Sequence, residues 1–307
     1  MSTAPAVHSR FAAIVLLALV SVVWGVHWVV VKIGLEYMPP LTYAALRVAT
    51  ALATVVVLVG IRRGLRPPPR QDWPVVASVG LLHVAAGIVL MNLALQVVPA
   101  GRSAVLVYTM PLWVAVLLMV VFRTPPARPE LVGLVLGIAG LVLLLNPAVI
   151  DWSNPAEVAG TLALLLSAML WATVTIHIRR HTWASSPLAL QPWQLLVALV
   201  PLTIVALVLE PGAQVKWGLP MLLVLLYSGP LATAFTGWGA QSITRSPGSR
   251  ATGTGFLAVP VIGLASGWLV LGEQLGPADI VAFGLVLGGV AVTALVPRRA
   301  ETATPTQ

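Results

Sequence analysis

Long apolar runs separated by Pro, Gly and charge clusters dominate the chain and predict ten helices. They fall at about 11–34, 40–60, 73–98, 102–122, 130–147, 157–179, 187–209, 217–241, 250–271 and 277–296. Such lengths suit a bilayer core of roughly 30 Å, which takes about 20 apolar residues per crossing and more with tilt. Pro39-Pro40, Pro67-Pro68-Pro69, Pro99, Pro125-Pro126, Pro155, Pro187, Pro211, Pro247 and Pro277 fall mostly between runs, where proline ends a helix at little cost. The first run begins after Arg10 and reaches about Val31. It is too long for a signal-peptide core and no A-x-A-like site follows, so it is expected to remain as a span.

Composition agrees with a polytopic membrane protein. Of 307 residues, 59% are hydrophobic and 8% charged, against about 25% charged in soluble domains. A soluble fold of this size needs more polar surface than that, which excludes a cytoplasmic enzyme, a disordered tail and a fibrous protein. The net charge of +8 is spread mostly as isolated pairs between apolar runs, so no nucleic-acid partner is expected. Cysteine is absent, and with it disulfides, thiolate metal sites and cysteine nucleophiles.

The basic residues separate by alternate connections. Arg10; Arg62, Arg63, Arg66 and Arg70; Arg123 and Arg128; Arg179 and Arg180; Arg245 and Arg250; Arg298 and Arg299 make 13 of the 17. The other connections hold Lys32, Arg102 and Lys216, and Arg47 lies inside the second span. The positive-inside rule then puts the first set and both termini in the cytoplasm. Glu36, Asp151, Glu157, Glu210, Glu273 and Asp279 lie outside or at the outer interface. The expected location is the cytoplasmic (inner) membrane of a bacterium, crossed many times.

Two short matches recur at about half the chain length. GLVLG occurs at 133–137 and at 284–288, and SVVWGVHW around Trp24 is echoed by SAMLWATV around Trp171. Five spans per half, an odd number, insert the second half upside down, as in the inverted repeats of secondary transporters. The predicted fold is an all-α membrane protein of ten transmembrane helices in two inverted five-helix repeats, 1–150 and 151–307, with both termini cytoplasmic.

Span one sets Trp24, His27, Trp28 and Val31 on one face at mid-depth, where indole and imidazole suit a cavity better than a headgroup belt. His83 has Gly87 one turn on, and Tyr108 precedes Met110-Pro111. Ser167, Trp171 and Thr175 follow four-residue steps; Tyr227, Leu231, Ala234 and Trp238 share a face; Thr252, Phe256 and Pro260 do likewise. The candidate substrate-binding set is Trp24, His27, Trp28, His83, Tyr108, Trp171, Thr175, Tyr227, Trp238 and Phe256, each with packing or lipid anchoring as the alternative. Pro111 and Pro260, in the fourth span of each half, are candidate helix bends. Trp152, Trp183 and Trp217 sit near span ends and read as interfacial. Gly133-xxx-Gly137, Gly263-xxx-Gly267 and Gly284-xxx-Gly288 would allow close helix contact. Lys32 is within reach of Glu36 at i,i+4. Arg47 could snorkel outward, in a structural role, or bind a carboxylate.

Span one into two reads WGVHWVVVKIGLEYMPPLTYAALRVATAL, and span nine into ten reads PVIGLASGWLVLGEQLGPADIVAFGLVLGGVAV. Over about residues 11–296 the chain resembles the EamA-type members of the drug/metabolite transporter superfamily, and within it the amino-acid exporters of the YddG type. The matching pieces are Trp24-Gly25, Lys32, Pro39-Pro40, Ala45-Leu46-Arg47, Pro260 and Leu271-Gly272-Glu273. The resemblance implies a central cavity built mainly from spans one, three, four, six, eight and nine. One departure is that the Gly-Glu after span nine has no first-half counterpart, where the chain reads Val121-Phe122-Arg123-Thr124-Pro125.

Aromatic walls without a midplane carboxylate suit amphipathic solutes, amino acids with aromatic or other apolar side chains above cationic drugs. The expected function is export of such metabolites by alternating access, without cofactor or metal and with no obligate protein partner. The alternative is a proton-coupled multidrug or metabolite efflux carrier. All nine acidic residues fall in loops, termini or span ends, leaving His27 and His83 as the titratable groups at depth. A membrane-embedded enzyme finds no H-E-x-x-H, G-x-S-x-G or paired midplane carboxylates, and no P-loop is present.

Overall fold

A computed structural model describes residues 10–63, 65–123, 128–146, 150–245 and 256–295. All regular secondary structure among the described residues is helical and forms ten segments. These are α1 (Arg10–Gly34), α2 (Pro40–Arg63), α3 (Arg70–Ala94), α4 (Ala100–Val120), α5 (Arg128–Leu144), α6 (Pro155–Arg180), α7 (Pro187–Leu209), α8 (Leu219–Thr244), α9 (Ala258–Leu271) and α10 (Pro277–Leu295). Seven of the described helices, α1–α4 and α6–α8, are long and apolar enough to cross a bilayer, and α9 and α10 are shorter apolar helices. The outward faces carry Val57, Val135, Ile204, Leu222 and Ile280, which water would not tolerate as a continuous exterior and lipid would.

Helix starts show why some boundaries differ from the sequence reading. Asn154 and Ser186 cap α6 and α7 by accepting from Ala156 and Glu157 N–H, and from Ala189 N–H, with Pro155 and Pro187 at the first turn. Before α4 stands Pro99, which offers no side-chain cap. Here Glu273 from beyond α9 accepts from the N–H groups of Ala100 (2.6 Å) and Gly101 (2.9 Å). This remote carboxylate satisfies orphan donors of the first turn, so α4 begins at Ala100 rather than at 102. Likewise α3 ends at Ala94 instead of 98, the chain turning through Leu95 to Val97 ahead of Pro99. Glu210 after α7 serves α2 in the same way, accepting from Leu41 and Thr42 N–H at 2.9 and 2.7 Å.

The two halves of the chain repeat the same structural features at offsets of 147 to 151 residues. α3 and α8 each contain a nine-residue π-helical stretch, Ser78–Ala86 and Tyr227–Phe235, 149 positions apart. A turn stands just ahead of a proline in both halves, interrupting α4 at Tyr108-Thr109 before Pro111 and preceding α9 at Phe256-Leu257 before Pro260. Pro111 has no N–H to reach the carbonyl one turn back, so the break in α4 precedes the proline instead of falling on it. Contacts across the halves come in matched pairs: α1 packs on α9 as α6 does on α4, and α2 packs on α8 as α7 does on α3. A Cβ at Gly80 would fall 2.6 Å from the Gln194 carbonyl, and one at Gly229 would run into Thr50, so both π stretches press backbone against the neighbouring helix.

α5 packs along α10, where Gly133, Gly137 and Gly140 face Gly289, Thr293 and Val286. Gly284 and Gly288 meet nothing there, so the second GLVLG is one residue out of phase with the contact and the expected Gly284-xxx-Gly288 interface is not formed. Gly263-xxx-Gly267 does face a neighbour, Ala104 and Gly101 of α4.

Connections gather at two ends. At one, Lys216 donates to the Glu36 carbonyl (3.0 Å), Arg102 pairs with Glu157 (2.8 Å) and Asp279 (3.6 Å), and Lys32 pairs with Glu273 (3.5 Å). The Lys32 partner is therefore Glu273 and not Glu36, because Lys32 Nζ also reaches the Val98 carbonyl at the mouth of α4. In the exposed connection there, Ser153 hydrogen bonds hold the Asp151 carboxyl below the usual range. At the other end, His181 pairs with Asp72 (2.9 Å), Trp193 donates to the Arg66 carbonyl, and the Arg180 guanidinium lies 3.8 Å over Phe122. This end carries the arginine-rich connections. Arg123 there has φ 51°, and Gly272, 149 positions on, has φ 66°. The first-half turn thus keeps the left-handed geometry without the glycine that suits it.

Candidate functional site

A cavity of about 120 Å³ opens between the halves. One wall is aromatic. Trp24 of α1 meets Trp171 of α6 edge to face with centroids 5.2 Å apart, and Phe256 leans on Trp24 at 5.7 Å. His83 stacks on Trp171 at 4.8 Å and Tyr108 meets it edge-on at 5.8 Å. Edge-to-face contacts place ring hydrogens against π faces and fix the walls without a hydrogen bond. The Trp24 indole N–H donates to the Ala232 carbonyl (3.2 Å) in the π stretch of α8. A π stretch shifts carbonyls out of the α-helical ladder, and such segments gather at functional sites. The Gln191 amide N–H likewise reaches the Ala234 carbonyl (2.6 Å).

The lining also has a polar part. Arg47 of α2 is 5% exposed and donates through Nε to the Thr233 hydroxyl (2.7 Å), while its Nη1 has no partner. Gln194 of α7 and Gln241 of α8 form a reciprocal amide pair, both bonds 3.0 Å. Gln191 Oε1, Tyr108 OH and both ring nitrogens of His27 are buried without partners. No carboxylate lines the cavity among the described residues, and no cluster there could hold a metal ion.

Of the ten candidate residues, Trp24, His27, Trp28, His83, Tyr108, Trp171 and Thr175 line this cavity. Tyr227 lies behind His27, stacked at 6.1 Å, with its OH donating to the Val23 carbonyl (2.9 Å). Phe256 touches the wall through Trp24. Trp238 is not brought to the cavity: its ring packs on Phe235 at 6.1 Å. Thr252 lies outside the described residues. Trp152 and Trp217 are exposed near helix ends, and Trp183 donates to the Ile178 carbonyl just before α6 stops.

Sequence reasoning missed the polar wall. Arg47 does not snorkel outward; it turns into the protein, where Thr233 holds it. α2 and α7 contribute to the lining, whereas the cavity implied by resemblance drew mainly on other spans. The available signal was two glutamines at i,i+3 in the apolar run of α7, since amides in a span are costly unless paired.

An all-helical bundle with a lipid-compatible exterior and a cavity where two repeated halves meet has the build of a multi-pass membrane transporter. The chain belongs to the EamA-like transporter family, whose profile matches residues 11–146 and again 158–295. It is similar to the "Uncharacterized transporter YoaV" of Bacillus subtilis, 26% identical over 90% of this chain and 95% of that one. It is also similar to a "Probable amino-acid metabolite efflux pump" of Salmonella typhimurium, 28% identical over 89% and 91%. A solved structure titled "Crystal structure of protein" superposes with a TM-score of 0.64 at 23% identity, over 96% of this chain and all of that one, which shows the shared fold.

Proposed function

We propose that this transporter exports small amphipathic metabolites, first among them amino acids with aromatic or other apolar side chains, as exporters of the YddG type do. The observation that carries this reading is the cavity itself: a lining that joins indole, imidazole and phenol rings to an arginine and amides, at the contact between repeat-related Trp24 and Trp171. The likeness to a protein named as an amino-acid metabolite efflux pump supports it.

In this reading all ten helices span the cytoplasmic membrane, the halves 1–150 and 151–307 are inverted, and the arginine-rich end with both termini is cytoplasmic. Cavity residues Gln194, Gln241, Thr244 and Ile178 lie toward that end, while Glu273 ties α9 to α4 and α1 at the other. Substrate enters from the cytoplasm, and rocking of the halves exposes it outside. Transport is facilitated diffusion down the substrate gradient. Counterflow of radiolabelled amino acids and organic cations in proteoliposomes tests the reading. Saturable counterflow of apolar amino acids is expected, and flux of cations alone would reject it.

A further inference from the structure

We propose that Arg47 is the carboxylate anchor of this cavity, so that a transported molecule must carry a carboxylate whether or not it carries an amino group. The inference rests on the cavity being the transport site. Arg47 holds a formal charge among lining residues that, as described, include no Asp or Glu. A guanidinium has five N–H donors and loses solvation when buried, so protein or ligand acceptors must replace water.

The protein supplies an acceptor at Nε, the Thr233 hydroxyl, and none at Nη1. Thr233 is itself fixed, donating to the Ser228 carbonyl at 2.7 Å, and the Ser228 hydroxyl shares a hydrogen bond with Tyr43 OH. Arg47 is thus oriented from behind and left open in front. The chain repeat sharpens the point. With the 147-residue offset that relates Trp24 to Trp171, the counterpart of Arg47 is Gln194, whose amide is closed by Gln241. A purely structural tie at this depth is made with neutral amides in one half, whereas the other half keeps an open cation. A substrate carboxylate supplies both the missing charge and acceptors for the planar fork. An ammonium would meet only neutral acceptors such as Gln191 Oε1, and an organic cation would face Arg47 uncompensated.

The test uses purified full-length protein and three probes sharing one ring: phenylalanine, 3-phenylpropanoate, which lacks the amine, and 2-phenylethylamine, which lacks the carboxylate. Thermal stabilisation is titrated for wild type, Arg47→Gln, Arg47→Lys and Thr233→Val. Both carboxylates are expected to bind wild type at least about ten-fold tighter than the amine, the size of one charge-assisted hydrogen bond. Arg47→Gln should abolish that preference and Thr233→Val should narrow it. If Arg47→Gln does not fold, the wild-type ranking and Thr233→Val decide. Equal binding of all three probes to wild type, or discrimination that survives in Arg47→Gln, overturns the anchor while leaving an amino-acid carrier intact. Binding of the amine alone, with no amino-acid counterflow, overturns both.

Discussion

Trp24 and Trp171 occupy equivalent positions of the two halves, 147 residues apart, and their rings meet edge to face at 5.2 Å in the cavity wall. In the proposed alternating-access reading, a contact between repeat-related residues lies where the halves would move past one another. Alanine at either position, or at Tyr108 beside Trp171, removes cavity wall without breaking an α5–α10 or α2–α7 contact. Export should fall several-fold while membrane abundance stays near wild type. Normal export by all three variants, or loss of the protein from the membrane, would detach these rings from the transport path.

Close packing of α5 on α10 gives a paired prediction. A Cβ at Gly289 would collide with the Gly137 backbone, and one at Gly137 with Leu112, while positions 284 and 288 meet nothing within 4 Å. Gly137→Leu and Gly289→Leu should destabilise by about 1–3 kcal/mol or more, the range for overpacking. Gly288→Leu should be near neutral. Thermal midpoints of the three purified variants check it, and equal losses would contradict the helix phase.

The Glu273 carboxylate binds two N–H groups of α4 and lies 3.5 Å from Lys32. Glu273→Ala leaves the first turn of α4 unsatisfied and should cost about 1–2 kcal/mol, as loss of a helix cap does. Lys32→Met should cost less, since its side chain is 30% exposed and solvent screens the pair. With that contact gone the end that carries it should open more readily, seen as faster labelling, from outside intact cells, of a cysteine introduced at the cavity-lining position Met91. Unchanged labelling would show that this contact does not hold the outer side closed.

Much of this was legible in the chain. Proline and charge breaks marked nine of the ten described segments to within about four residues at each end, whereas the ninth, expected from 250, is described only from Ala258; the face of Trp24, His27 and Trp28 points into the cavity as its spacing implied. What the sequence hid was long-range. Lys32 has Glu36 one turn away, yet its partner is Glu273, because the inner face of α1 meets α9 and the start of α4. Arg47 reads as a snorkelling cation until Thr233 of α8 is seen beside it. The π stretches of α3 and α8 leave no shared mark in residue type: SVGLLHVAA and YSGPLATAF are mostly small and apolar, and Pro230 of the second has no proline counterpart in the first. GLVLG betrayed the repeat but not the phase of the contact, which a one-residue shift moves to Gly289.

The charge partition predicts a topology that is open to direct labelling. Asp72–His181 and Arg66–Trp193 tie connections at one end, and Arg102–Glu157 and Lys216–Glu36 at the other. Single cysteines introduced at 66 and 180 should resist an impermeant reagent in intact cells, and those at 151 and at the exposed position 214 should react. Equal reaction at 66 and 151 would overturn the orientation.

Energy coupling is the remaining prediction, and it turns on two imidazoles. His27 stacks on Tyr227 with both ring nitrogens buried and unpartnered, and His83 stacks on Trp171. Neither adjoins a carboxylate, since none lines the cavity among the described residues. A proton carrier needs a route to water on both sides and a stable charged form at depth, which an acidic neighbour would normally supply. The formal charge lining the cavity among the described residues is Arg47, which has only donors and offers a proton no acceptor. The rings are therefore expected to serve as wall and packing surface, with the proposed net-neutral amino acid moving down its own gradient. Flux into proteoliposomes should change less than about two-fold when a one-unit pH gradient, worth about 1.4 kcal/mol per proton, is imposed. It should also persist in His27→Gln and His83→Gln taken separately. Uphill accumulation driven by that gradient, and lost in either variant, would make the protein a proton-coupled antiporter instead.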